Sequence, residues 1–127
     1  MDEEVQALAA RLVRRIKEVN ATITVAESCT GGLLASTLTD ISGASAWFEQ
    51  SWVCYSYESK AKELNVERDI LESKGAVNAA VAIQMAEGAR TRSGADIAIS
   101  ITGIAGPVAL NSNKPVGLVY VGIASAH

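Results

Sequence analysis

Between residues 23 and 41 a run that favours a strand gives way to one that favours a helix, within a handful of positions. Ile23-Thr24-Val25 is β-branched, and Leu33, Leu34, Thr37, Leu38 and Ile41 recur at helical spacing. The turn between them reads Glu27-Ser28-Cys29-Thr30-Gly31-Gly32. A strand that turns so tightly into a helix aims free backbone N–H groups and a positive helix end at one spot. The hydroxyl of Ser28 stands at the same spot. Such a place suits a bound anion, or the oxyanion that forms when Ser28 attacks an acyl carbon.

The alternation continues along the chain. Val5, Leu8, Ala9, Leu12, Val13 and Ile16 predict an amphipathic helix over 4–19, followed by a strand at 22–26. The helix after the Ser28 turn is expected to run to about Ile41. Ser42-Gly43-Ala44-Ser45 is a break, and Trp47-Phe48 packs a short turn onto the core. Residues 49–56 read as a strand, 58–64 and 69–74 as short helices, the second stopped by Gly75. Asn78 caps a longer helix through Val81, Met85 and Ala89 that ends near Gly94. Residues 97–101 and 116–124 are expected to be buried strands. Helices alternating with strands predict an α/β fold, a three-layer α/β/α sandwich.

Two further segments carry chemistry. A strand ends again before Thr102-Gly103-Ile104-Ala105-Gly106-Pro107, a tight loop whose backbone can approach a ligand closely. Ligands of open α/β sheets bind beyond the carboxyl ends of strands, where both loops fall. The other segment is Tyr55-Ser56-Tyr57-Glu58-Ser59-Lys60, where a strand passes into a helix. The sole histidine is His127, so a serine nucleophile here needs another base. A lysine serves when desolvation or a neighbouring cation lowers its pKa. A lone lysine is ordinarily a solvated surface residue, and a lone tyrosine at a strand end ordinarily packs the core or its rim.

Composition removes several function classes. A chain of 127 residues is one domain with a single core, and 49% hydrophobic with 20% charged residues is globular. A net charge of −3 with no basic patch among aromatics gives no pull toward nucleic acid. Arg11, Arg14, Arg15 and Lys17 read as the solvated face of the first helix. Asp2, Glu3 and Glu4 occupy the place of a basic leader, and no apolar run is long enough for a bilayer. A cytoplasmic protein without a membrane partner is therefore expected. Cys29 and Cys54 lack metal-site spacing, so two reduced thiols and no metal are expected. Gly31-Gly32 lacks the following lysine and Ser/Thr of a P-loop.

Taken together, the motifs resemble the C-terminal domain of the CinA family, whose stand-alone members are nicotinamide-nucleotide amidases. Ala26-Glu27-Ser28-Cys29-Thr30-Gly31-Gly32 is similar to the family's first motif, and Tyr55-Ser56 with Lys60 to its Tyr-Ser-Asn-Glu-Ala-Lys motif. Gly75-Ala76-Val77, Met85-Ala86-Glu87-Gly88-Ala89, the segment 102–107 and Lys114-Pro115-Val116-Gly117 extend the likeness in order. The resemblance implies a mixed, largely parallel sheet and metal- and cofactor-free hydrolysis of nicotinamide mononucleotide to nicotinate mononucleotide and ammonia. It implies Ser28 as nucleophile, Lys60 as its base, and Tyr55 as a group that assists proton transfer or orients the lysine. Glu27, Thr30, Gly31, Gly32, Thr102, Gly103 and Gly106 are then the substrate-binding residues.

The chain departs from the family pattern in three places. Val108-Ala109-Leu110-Asn111-Ser112-Asn113 stands where the family often has an acidic, glycine-rich stretch, and Tyr57 and Ser59 replace its usual Asn and Ala. The resemblance also implies a single domain over 1–127 that stops short of the family's last strand and closing helix. One face of the sheet is then left poorly covered, and a homodimer or higher homo-oligomer is expected to hide it. The alternative to an enzyme is a non-catalytic nucleotide-binding or assembly module that keeps the fold. Retention of Ser28, Tyr55 and Lys60 together favours the enzyme.

Overall fold

The computed structural model describes residues 2–107 and 114–126. The elements run α1 (Glu3–Glu18), β1 (Ile23–Glu27), α2 (Leu33–Thr39), a single 3-10 turn (Ala44–Ala46), β2 (Phe48–Val53), α3 (Tyr57–Leu64), α4 (Arg68–Lys74), α5 (Ala79–Ser93), β3 (Ile97–Gly103) and β4 (Val119–Ser125). The strands form one sheet in the order β2-β1-β3-β4. β1 runs parallel to β2 and to β3, and β4 closes the edge antiparallel to β3. The expected three-layer sandwich with a mixed, largely parallel sheet is the observed one.

Alternation along β1 splits the core in two. Ile23 and Val25 face one way, where Ala9, Val13 and Ile16 of α1, Leu38 of α2 and Trp47 pack on them. Ala26 faces the other way, into a cluster with Leu64 of α3, Leu71 of α4 and Val81, Met85, Ala86 and Ala89 of α5. β1 is buried along its whole length, as a central strand with helices on both faces must be.

The parallel register sets up the site. Glu27 at the end of β1 lies beside Val53 of β2 and Ile101 of β3, so three carboxyl ends share one edge. The ladder continues one step beyond: Cys54 N–H donates to the Glu27 carbonyl at 2.9 Å and Ser28 N–H to the Ile101 carbonyl at 3.1 Å. Ser28 and the Cys54–Tyr55 peptide therefore leave the sheet side by side, while β3 runs on through Thr102 and Gly103 paired with β4.

Element limits differ from expectation where a cap or turn intervenes. β2 stops at Val53 rather than 56, because Ser56 is the N-cap of α3. Residues 115–118 form a turn, with Gly117 at φ +92 and Leu118 N–H donating to the Pro115 carbonyl, so the last strand begins at Val119. That strand was expected to be buried. Instead Val119, Val121 and Ile123 are exposed, because α1 and α2 cover β1 and reach Ile97 and Ile99 of β3 but not β4. The opposite face of β4 does pack on α5. The 108–113 departure lies outside the described residues.

Candidate active site

Ser28 and Lys60 meet at the sheet edge, with Nζ of Lys60 2.9 Å from Oγ of Ser28 across 32 positions of sequence. Ser28 follows Glu27 and so leaves β1 toward the α3–α5 layer. Lys60 is one turn into α3, on the same face as the buried Leu64. A reciprocal capping box fixes the start of that helix: Ser56 Oγ accepts from Ser59 N–H at 3.0 Å, and Ser59 Oγ from Ser56 N–H at 3.1 Å. Ser59, one of the departures from the family pattern, thus closes the cap that aims Lys60.

The lysine is almost fully buried, at 1% exposure. Nζ also lies 2.8 Å from the Cys54 carbonyl and 3.1 Å from the Tyr55 carbonyl. Among the described residues no carboxylate forms an ion pair with it. Burial pushes the Lys60 ammonium below the ordinary lysine range, partly opposed by the thiols of Cys54 and Cys29. Two carbonyls and one hydroxyl around an amine suit both of its forms. The ammonium has three N–H donors for three acceptors, whereas the neutral amine gives two to the carbonyls and turns its lone pair on Ser28.

Tyr55 joins this group through its backbone. Its carbonyl reaches Lys60, while the residue is 69% exposed. Sequence reasoning named the residue; the Cys54 carbonyl it missed, because no side-chain pattern marks a main-chain acceptor.

Glu27, expected among the substrate-binding residues, spends its carboxylate on hydrogen bonds within the fold. Its side chain points into the α2 layer and is fully buried. One carboxylate oxygen accepts from Thr30 Oγ1 at 2.6 Å and Leu34 N–H at 2.9 Å, the other from Ala35 N–H at 2.9 Å. α2 needs this, since its N-cap is Gly32 at φ +106, with no side chain to cap the helix. The signal was legible: a helix opened by glycine calls for an acceptor from elsewhere. With Leu34 and Ala35 engaged, that helix end is filled by the protein's own carboxylate.

The turn keeps donors of its own. Gly31 N–H donates to the Ser28 carbonyl and Leu33 N–H to the Thr30 carbonyl, while those of Cys29, Thr30 and Gly32 donate to no carbonyl among the described residues. Cys29 is half-buried, and burial pushes its thiol up against the pull of nearby N–H groups and Lys60. Of the expected substrate residues on the third loop, Thr102 is buried and spends its hydroxyl on the Ala76 carbonyl at 2.9 Å, so its side chain positions the 75–77 loop. Gly103 lies against the Ser28 turn, since a Cβ there would stand 3.0 Å from Sγ of Cys29. Gly106 is half-buried at φ +89. Among the described residues no three His, Cys, Asp or Glu side chains gather as metal ligands, and no helix is long and apolar enough to cross a membrane.

The family model of the CinA C-terminal domain matches residues 5–127. The nicotinamide-nucleotide amidohydrolase PncC of Escherichia coli is 46% identical over 98% of this chain and 76% of its own length. A CinA-like protein of Chlorobium limicola is 54% identical over 87% of this chain, which spans only 26% of that relative. The crystal structure of the competence/damage inducible protein CihA from Agrobacterium tumefaciens superposes with a TM-score of 0.94 at 39% identity, over 99% of this chain and 76% of that one. Sequence, motif order and fold agree throughout: this chain belongs to the CinA C-terminal domain family.

Proposed function

We propose that this chain hydrolyses the carboxamide of nicotinamide mononucleotide, releasing ammonia, with Ser28 as nucleophile and Lys60 as general base and without a metal. The observation that carries the reading is the buried Nζ of Lys60, 2.9 Å from Oγ of Ser28 and held by two carbonyls. The likeness to PncC over 98% of the chain supports the substrate. An assembled pair of this kind also favours an enzyme over a non-catalytic module of the same fold.

In this scheme neutral Lys60 takes the proton of Ser28 as Oγ bonds to the amide carbon. The carbonyl oxygen becomes an oxyanion, and the reading assigns its acceptance to N–H groups of the 28–32 turn, where those of Cys29, Thr30 and Gly32 donate to no carbonyl among the described residues. Collapse breaks the C–N bond, and the Lys60 ammonium gives its proton to the departing amine, which leaves as ammonia. Water then adds to the acyl carbon with Lys60 accepting its proton, the C–Oγ bond breaks, and Lys60 returns that proton to Oγ of Ser28. The products are nicotinate mononucleotide and regenerated Ser28.

Ammonia release from nicotinamide mononucleotide tests the reading. Wild type is expected to turn over, and Ser28→Ala to lose at least about a thousandfold in kcat while keeping its fold. Lys60→Ala should lose a similar factor, since the two act as one unit. EDTA should leave the rate unchanged. Equal turnover in wild type and Ser28→Ala would reduce Ser28 to a structural residue, and loss on chelation restored by a divalent ion would overturn the metal-free scheme.

A further inference from the structure

Glu27 is a buried carboxylate directly before the nucleophile, yet it touches neither Ser28 Oγ nor Lys60. Among the described residues its side-chain bonds run to Thr30 within the turn that Ser28 opens and to Leu34 and Ala35 beyond it. The geometry points to Glu27 as a positioning residue that holds the 28–32 turn in its oxyanion-binding shape, an inference that rests on the proposed function. β1 fixes one end of the turn through Ser28 N–H on the Ile101 carbonyl, and Glu27 fixes the other through the first turn of α2. Between these anchors Gly31 and Gly32 sit at φ +62 and +106, left-handed backbone that glycine adopts without a steric penalty. The Thr30 hydroxyl, 2.6 Å from the same carboxylate, ties down the middle.

The charge matters as well as the shape. The Leu34 and Ala35 N–H groups at the start of α2 have no capping side chain from Gly32, and the Glu27 carboxylate supplies their acceptors. With those two donors satisfied, the Cys29, Thr30 and Gly32 N–H groups are the ones in the turn that donate to no carbonyl among the described residues. Glutamine is the discriminating replacement. It keeps the size but offers one acceptor oxygen where three donors converge, and turns an NH2 group toward one of them.

The experiment compares wild type, Glu27→Gln and Thr30→Val, each confirmed folded by circular dichroism at the assay temperature. Two readouts are taken: steady-state ammonia release from nicotinamide mononucleotide, and the rate at which a fluorophosphonate labels Ser28, followed by mass spectrometry. Removal of an oxyanion-hole contact sets the scale, so Glu27→Gln should lower kcat and the labelling rate by about tenfold to a hundredfold. KM should stay within about twofold, and the acid limb of the pH profile, set by Lys60, should not move. Thr30→Val should show the same split with a smaller loss.

A folded Glu27→Gln that labels and turns over like wild type overturns the inference, as does one whose loss lies in KM alone. If Glu27→Gln does not fold, Thr30→Val decides, and unchanged kcat and labelling in that variant overturn it. Wild type that labels readily but releases no ammonia defeats the substrate assignment and leaves the labelling comparison to judge Glu27. An unreactive Ser28 in wild type overturns both.

Discussion

An amine buried without an anion is costly in its charged form, and burial, rather than a neighbouring cation, pushes Lys60 toward the neutral one. Lowering the lysine pKa gives the free base at a lower pH, so kcat/KM should rise with pH along an acid limb below the ordinary lysine range and then level off. The same shift acts on stability. Between the folded and unfolded pKa values the unfolded chain binds more protons, so stability rises with pH through that window. The penalty is fully present below the folded value and disappears as pH reaches the unfolded one. Urea midpoints at several pH values, for wild type and Lys60→Met, should show this slope in wild type and its loss in the variant. A flat wild-type profile would mean that Lys60 titrates normally. Tyr55 offers a sharper check on which atoms matter. Because its carbonyl rather than its exposed phenol reaches Lys60, Tyr55→Phe should keep kcat within about threefold, against the 10²–10⁴-fold expected for losing a general acid or base. A hundredfold loss in steady-state ammonia release would return the hydroxyl to the mechanism.

The elements that carry the pair were legible in sequence, and their mutual placement was not. The β-branched run at 23–25 and the glycine pair at 31–32 mark the β1–α2 junction from local preference alone. Nothing local, however, says that Leu64 will rest on α5 and turn Lys60 inward, or that Glu27 will reach forward to cap the helix. The contact between α3 and α5 decides the first of these. Gly88 of α5 lies against the last turn of α3, where a Cβ would run into the Leu64 carbonyl and backbone. Main chain cannot swing aside as a side chain can, so Gly88→Ala has to push the helices apart. Overpacking of this kind costs about 1–3 kcal/mol, occasionally more. Lys60 sits one turn before Leu64, so the same displacement should lengthen its reach to Ser28 and lower kcat. Urea denaturation and ammonia release on one preparation check both effects. A variant with an unchanged midpoint and unchanged kcat would show that α3 is not held by this contact. Ser59 shows why a departure from a motif need not mean lost function: it closes the capping box with Ser56, and Ser59→Ala should cost about 1 kcal/mol by thermal melting.

Across the whole molecule the two faces of the sheet are covered unequally. α5 spans the sheet to β4, whereas α1 and α2 stop over β1 and the near side of β3. Val119, Val121 and Ile123 alternate on the uncovered face of β4, with Ile123 70% exposed. Among the described residues β4 is also an edge strand of the sheet. Fully burying such a side chain contributes roughly 1.5–3 kcal/mol, and since all three are already partly covered, a second copy would gain only part of that against the cost of association. We propose that these residues associate with a second copy through this face. Sedimentation equilibrium should give a mass that climbs with concentration, and Val121→Lys with Ile123→Lys should bring it down to the monomer. Both side chains are exposed, so the double variant should keep its melting temperature, and the Ser28–Lys60 pair, formed on β1 and α3, should keep its activity per chain. A wild-type mass that stays monomeric at every concentration would remove this face as an interface. A double variant that becomes monomeric and also loses ammonia release would instead mean that association helps to build the site.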